Sequence, residues 1–304
     1  MDHQPGTTAA SRIGIVGFGE VGDALAHELL ARRWRPLVLE PRSGERASVA
    51  RAQALELEVS RDPRAFGAAV DAVVVVVPAP QALATAELLL PHLGPAVLYS
   101  DWTAKGPQVR DRIAAACGRR RFADVAIAGT VTWAGHSVEL LASGDGAMDL
   151  AALLDGTRFR TLVVDPAVPR SCEIKLCRSA LTKGLSALMI ETFVAAHRLG
   201  VLDVVDQGLA PFFGEAYARL RDLMIVTALP HAPRRAAEME DAAALVEEAL
   251  GAAPMTTACR DVLSALVPLK AQLGAEPGDD WRETVRQLDE RDALRVPKET
   301  TCTS

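Results

Sequence analysis

The chain has 304 residues, of which 49% are hydrophobic and 24% charged, and 33 Lys and Arg against 39 Asp and Glu give a formal charge of -6. That length predicts one large or two ordinary domains, and the apolar share excludes a disordered or collagen-like chain. The acidic balance, without a long basic block, argues against nucleic acid as a partner, and no run of about 18 apolar residues marks a membrane span. Cysteines at 117, 172, 177, 259 and 302 form no CxxC pair and sit near no His cluster. Neither a disulfide framework nor a metal site is expected, and a soluble protein of the reducing cytoplasm fits.

Residues 1–11 carry no apolar run of signal-peptide length and are expected to be disordered. From 12 to 170, short β-branched runs alternate with amphipathic stretches, the pattern of βαβ units around a doubly wound parallel sheet. The predicted strands are Arg12–Val16, Leu37–Glu40, Val73–Val77, Ala96–Ser100, Phe122–Ile127 and Thr161–Val164. Val73–Val77 is apolar at every position, as a central strand covered on both faces should be. After Pro166 and Pro169 helical periodicity takes over, through Ser171–Gly200, Leu209–Ala228, Ala232–Leu250 and Thr256–Leu273. The expected architecture is an α/β Rossmann domain (12–170), an all-α substrate and dimerisation domain (171–295) and a flexible tail (296–304). The long first helix of the second half is expected to bridge the domains.

The segment Ile13-Gly14-Ile15-Val16-Gly17-Phe18-Gly19-Glu20-Val21-Gly22 places a GxGxxG between an apolar strand and the helix Asp23–Ala31. In that context Gly17 permits a tight turn, Gly19 lets the backbone approach a pyrophosphate and Gly22 lets helix and strand pack closely. The next strand ends in Glu40, 18 residues beyond Gly22, where a carboxylate can hold the two ribose hydroxyls of NAD. Glu40 repels the extra phosphate of NADP, whereas Arg42 and Ser43 suit it, so the cofactor is NAD or NADP with NAD favoured. The cofactor-binding set is Gly17, Phe18, Gly19, Glu20, Val21, Gly22, Glu40, Arg42, Val77, Pro78 and Thr103.

These residues resemble the β-hydroxyacid dehydrogenase superfamily, which includes hydroxyisobutyrate and 6-phosphogluconate dehydrogenases, over nearly the whole chain. Besides the glycine motif, Tyr99-Ser100-Asp101-Trp102-Thr103-Ala104-Lys105-Gly106-Pro107 is similar to the family's Asp-Leu-Ser-Thr segment. Asp124-Val125-Ala126-Ile127-Ala128-Gly129-Thr130 is similar to its substrate loop, with Ala128 in place of a Ser and Thr130 in place of a Gly. The helix from Lys175 is similar to the one carrying the family's catalytic Lys and, four residues on, its Asn, here Ser179. The segments around Lys183 and His231–Glu240 look most like a less characterised, phosphogluconate-dehydrogenase-like branch. The resemblance implies an NAD(P)-dependent oxidoreductase acting on a small hydroxyacid or its oxo form.

Read physically, Lys175, Ser179 and Lys183 fall at i, i+4 and i+8 on one helix, with Arg178, Thr182 and Ser186 beside them. This polar stripe must face water, a partner charge or a cleft, because the rest of the helix is apolar. A Lys in a partly desolvated cleft can move a proton, since burial lowers its pKa. Lys175 is the expected proton-transfer residue and Ser179 a substrate hydrogen-bonding group. Lys183 and Arg178, with Lys105, Ala128, Gly129 and Thr130 opposite, are expected to bind a small anionic substrate. Asp124 and His136 are read as structural, Cys172 and Cys177 as turned to different faces, and His231, Arg234, Arg235 and Glu238 either as reaching a cleft across a dimer or as a plain charged helix end. Two alternatives stay open: an imine reductase on the same scaffold, and a cofactor-binding sensor without turnover. A homodimer is expected from the apolar helical half.

Overall fold

The computed structural model describes residues 12–40, 46–103, 106–128, 137–273 and 280–294. Both expected tails, together with Arg42, Ser43, Lys105, Gly129, Thr130 and His136, lie outside the described residues. The chain divides into two compact units, one up to Lys175 and one from Leu176 onward.

The first unit runs β1 (Ile13–Val16), α1 (Glu20–Ala31), β2 (Leu37–Leu39), α2 (Arg46–Ala54), β3 (Val59–Ser60), α3 (Pro63–Ala68), β4 (Ala72–Val75), α4 (Ala82–Leu89), β5 (Leu98–Asp101), α5 (Pro107–Cys117), β6 (Phe122–Ile127), β7 (Val138–Ser143), α6 (Ala147–Leu154) and β8 (Phe159–Asp165). The strands form one sheet in the order β3-β2-β1-β4-β5-β6-β7-β8. Six run parallel; β7 turns antiparallel to β6, and β8 pairs parallel with β7. Successive residues feed opposite faces: Ile13, Ile15, Val38 and Val74 join one core cluster, and Leu37, Leu39, Val73 and Val75 the other. Burial on both faces accounts for the unbroken apolar run in β4.

The six expected strands are present, and the sequence reading missed two. β3 is two residues long, too short to show a period. β7 carries one exposed residue, Glu139, in six, so its run Val-Glu-Leu-Leu-Ala-Ser reads as either buried strand or helix. β5 ends at Asp101 and not at Ser100, which brings that carboxylate onto the sheet.

The helical unit contains most of α7 (Arg170–Arg198), then α8 (Leu202–Phe213), α9 (Tyr217–Val226), α10 (Ala232–Leu250), α11 (Pro254–Ala265), α12 (Val267–Leu273) and α13 (Trp281–Glu290). The single helix expected over Leu209–Ala228 is instead two, broken at Gly214, whose φ of +67° ends α8. The helix expected over Thr256–Leu273 also splits, because Pro268 has no N–H to continue the ladder from α11. α13 escaped the sequence reading because Trp281, Val285 and Leu288 are its only large apolar residues. Trp281 meets Phe193 edge-on at 5.2 Å and lies between the Arg221 and Arg282 guanidinium groups, each 4.3 Å from the ring.

Candidate cofactor and substrate sites

The glycine motif forms the turn from β1 into α1, and its three glycines answer to different constraints. Gly17 has φ +90°, and a Cβ there would lie 2.9 Å from the Val76 carbonyl oxygen. A Cβ on Gly22 would lie 2.4 Å from the Gly17 oxygen, so helix and turn touch at backbone distance. A Cβ on Gly19 meets nothing within 4 Å. Gly19 therefore fronts open space at the start of α1, whose first turn has no side-chain cap. A pyrophosphate fits there, on the N–H groups of Glu20, Val21 and Gly22. Phe18 is buried in the core and offers only its backbone.

Beside this turn, a cavity of about 190 Å³ is lined by Gly17, Leu39, Glu40, Val77, Gln81 and Leu88 among others. Glu40 is 1% exposed and closes one wall, at the end of β2 where a ribose would rest. The residues present thus fit the adenosine half of a dinucleotide. Pro78 is exposed past the end of β4. Thr103 is buried, and both its backbone N–H (2.8 Å) and its hydroxyl (2.6 Å) donate to Asp101 Oδ1.

Behind Thr103 lies a cluster that the sequence reading missed. Arg110 on α5 is 1% exposed, and its Nη1 donates to Asp101 Oδ1 at 2.6 Å. Its Nε lies 3.1 Å from Asp124 Oδ1, an ion pair whose angle is too poor for a hydrogen bond. Asp124 Oδ2 accepts from the hydroxyls of Ser171 (2.7 Å) and Ser143 (3.3 Å), and Ser143 Oγ accepts from the Ser171 N–H, pinning the start of α7. Burial works to lower the Arg110 pKa, but Asp124 and Asp101 outweigh it and raise it. Burial raises that of Asp124 against the pull of Arg110 and Ser171. The structural reading of Asp124 stands, through an ion pair and two seryl hydroxyls more than through backbone capping. The missed signal was Arg110 in apolar register with Ile113 and Cys117, at i, i+3 and i+7, the buried face of α5.

On α7, Lys175 is half-buried and Arg178 exposed, while Ser179 is 1% exposed. The polar stripe meets a partner charge. Ser179 Oγ donates to Glu238 Oε1 of α10 at 2.5 Å, and Lys183 Nζ donates to Ser179 Oγ at 3.1 Å and lies 3.4 Å from Glu238 Oε1. Burial lowers the Lys183 pKa, opposed by Glu238 and aided by Arg234 and Arg235. Ser186 accepts from Arg235 Nη1 at 3.0 Å. The expectation of a plain charged end for α10 is therefore corrected: Glu238 is buried, and Arg235 is tethered to α7. The helix is not apolar-inward on its remaining side either, since Leu181 is 74% exposed. Cys172 is buried and Cys177 exposed, on different faces as expected. Ala128 follows the last residue of β6, its N–H bonded to the Glu139 oxygen at 2.8 Å.

Comparison with known proteins identifies two domains in the chain. Residues 12–152 match the NAD binding domain of 6-phosphogluconate dehydrogenase, and residues 196–266 match a domain of unknown function, DUF1932. The chain thus carries an NAD binding domain of the 6-phosphogluconate dehydrogenase type, followed by a DUF1932 domain. A conserved hypothetical protein from Sinorhizobium meliloti 1021 is 27% identical, with TM-score 0.74, over 93% of this chain and 97% of that one. A conserved protein whose structure reveals similarity with 3-hydroxyacid dehydrogenases is 26% identical, with TM-score 0.70, over 87% of this chain and 100% of that one. With 3-hydroxyisobutyrate dehydrogenase from Mycobacterium tuberculosis the fold is shared at 18% identity and TM-score 0.67, over 91% and 99% of the two chains. The NAD binding domain matched over residues 12–152 supports a nicotinamide dinucleotide as the cofactor of the first unit. No helix among its described residues is long and apolar enough to cross a membrane.

Proposed function

We propose that the protein is an NAD(P)-dependent oxidoreductase acting between a small anionic hydroxyacid and its oxo form, with Lys175 as proton-transfer residue. The observation that carries this reading is the glycine turn, open at Gly19 and flanked by the Glu40 cavity, within a domain of dehydrogenase type. Bound there, the cofactor supplies a two-electron acceptor or donor. Glu40 holds the ribose hydroxyls, which favours NAD over NADP. Lys175, half-buried in the second turn of α7, takes the hydroxyl proton in oxidation and returns it in reduction. Arg178 and Lys183 supply positive charge for the substrate's acid group. The reaction belongs in a reducing compartment such as the cytoplasm, in keeping with cysteines 117, 172, 177 and 259, which form no disulfide among the described residues.

One observation favours a second reading, imine reduction. Ser179 stands where the family has its Asn, but its hydroxyl donates to Glu238, so it offers a substrate oxygen no donor in this arrangement. Nicotinamide absorbance, followed with NAD or NADP against a panel of small hydroxyacids and cyclic imines, separates the two. Turnover of a hydroxyacid supports the proposal, and turnover of imines alone replaces it.

The active form is a homodimer. A groove of about 400 Å³ between α7 and α11 is bordered by Leu181, Leu188 and Met255, all more than half exposed, and solvent-facing apolar surface of this kind is suited to a second copy. Light scattering at micromolar concentration is expected to give twice the mass of 32.3 kDa.

A further inference from the structure

We propose that the cluster where α7 meets the first turn of α10 is a binding site for a small oxyanion, held by Lys183, Arg234 and Arg235. The proposal deepens the reading of an anionic substrate, and rests on that reading only for the ligand's identity.

Charge balance singles out this cluster. Among the described residues Glu238 accepts the Ser179 hydroxyl, lies 3.4 Å from the Lys183 ammonium and has Arg234 Nη1 at 3.9 Å, with Arg235 one turn before it on α10. Arg235 has no carboxylate within ion-pair distance among the described residues. Its Nη1 and Nη2 donate instead to the hydroxyls of Ser186 (3.0 Å) and Thr227 (2.5 Å). Those hydroxyls already donate to helix carbonyls, of Met224 and Leu223, so both are fixed acceptors and neither neutralises the guanidinium. A guanidinium has five N–H donors, so two tethers lock its plane and leave three for a ligand.

Helix geometry sharpens the imbalance. The amino-terminal end of a helix is positive and favours acidic residues, yet the first turn of the 19-residue α10 contains none and holds Arg234 and Arg235. Burial and the neighbouring Arg234 push the Arg235 pKa down to about 10 against the pull of Glu238, which still leaves it charged at neutral pH. A fold under selection for stability alone has no use for three cations and a helix end sharing one carboxylate, whereas an anion relieves all four at once. Solvent reaches the cluster, since the Arg234 side chain is 65% exposed and that of Lys183 24%. The surplus of two positive charges suits a doubly charged phosphate better than a single carboxylate.

The test is a calorimetric titration of the full-length protein, without cofactor and at low salt, using inorganic phosphate in one arm and acetate in the other. One saturable site is expected, tighter for phosphate. Arg235→Gln should weaken phosphate binding about tenfold or more, and Arg234→Gln, an exposed position that leaves the fold intact, about two- to fivefold. Arg160→Gln makes the same charge change at an exposed position on β8 and should leave affinity unchanged. Tighter binding of acetate assigns the site to a carboxylate. Absence of saturable binding in both arms, or equal losses in the Arg235 and Arg160 variants, overturns the proposal. Because neither cofactor nor turnover enters, phosphate binding without hydroxyacid turnover refutes the hydroxyacid reading alone, and turnover without binding refutes this site alone.

Discussion

Arg110 in the first unit and Arg235 in the second are both drawn out of water, yet their surroundings are built on opposite terms. Arg110 is sealed between two carboxylates, Asp101 and Asp124, whose other partners are a threonine and two serines. Arg235 meets hydroxyls only, beside a second arginine and a lysine that share one glutamate. The first cluster is compensated and closed, and it ties β5, α5, β6 and the start of α7 together. The second is over-positive and reached by solvent. Burial alone therefore does not tell structural charge from functional charge; the balance of partners does.

The largest effect that tests this contrast is Arg110→Met. It leaves two carboxylates buried without a cation and should cost about 3–5 kcal/mol in urea unfolding. Arg235→Gln relieves like-charge repulsion and should change stability by less than about 1 kcal/mol. Equal losses in the two variants would erase the distinction.

A smaller effect divides the glycine turn in the same way. Gly22→Ala drives a methyl into the Gly17 carbonyl and should lower stability by about 1–3 kcal/mol. Gly19→Ala meets no protein atom, so stability should hold while NAD affinity falls at least tenfold, read by calorimetry beside thermal melts. A stable Gly19→Ala with unchanged affinity would remove the pyrophosphate from this turn.

The smallest effect is a slope with pH. Burial lowers the folded-state pKa of Lys183 below 10.5, so between that lowered value and 10.5 the unfolded chain holds a proton that the folded chain has released. Stability should therefore gain a positive contribution as pH rises through that window. Urea unfolding at stepped alkaline pH should show the contribution in the natural protein and its loss in Lys183→Met.

Much of the first unit was legible because its signals are local. The glycine spacing, the acid ending β2 and the all-apolar β4 each announce a role within a few residues. The helical unit was legible as helix, but its breaks at Gly214 and before Pro268 were hidden inside continuous periodic runs. The partners of charged residues were not legible at all. Arg110 and its aspartates lie 9 and 14 residues apart, and Ser179 and Glu238 lie 59 apart, so no spacing rule joins them. Sequence placed Ser179 on a polar stripe, and only the packing of α10 on α7 shows that a buried carboxylate takes its hydroxyl.

In the proposed function Lys175 moves the proton in a nicotinamide-linked oxidation of a small anionic hydroxyacid. Steady-state kinetics of Lys175→Met beside Lys183→Met, with the best hydroxyacid of the panel and NAD affinity measured in parallel, tests it most directly. Lys175→Met is expected to abolish kcat with cofactor affinity nearly unchanged, while Lys183→Met raises KM much more than it lowers kcat. Full activity in Lys175→Met would contradict it.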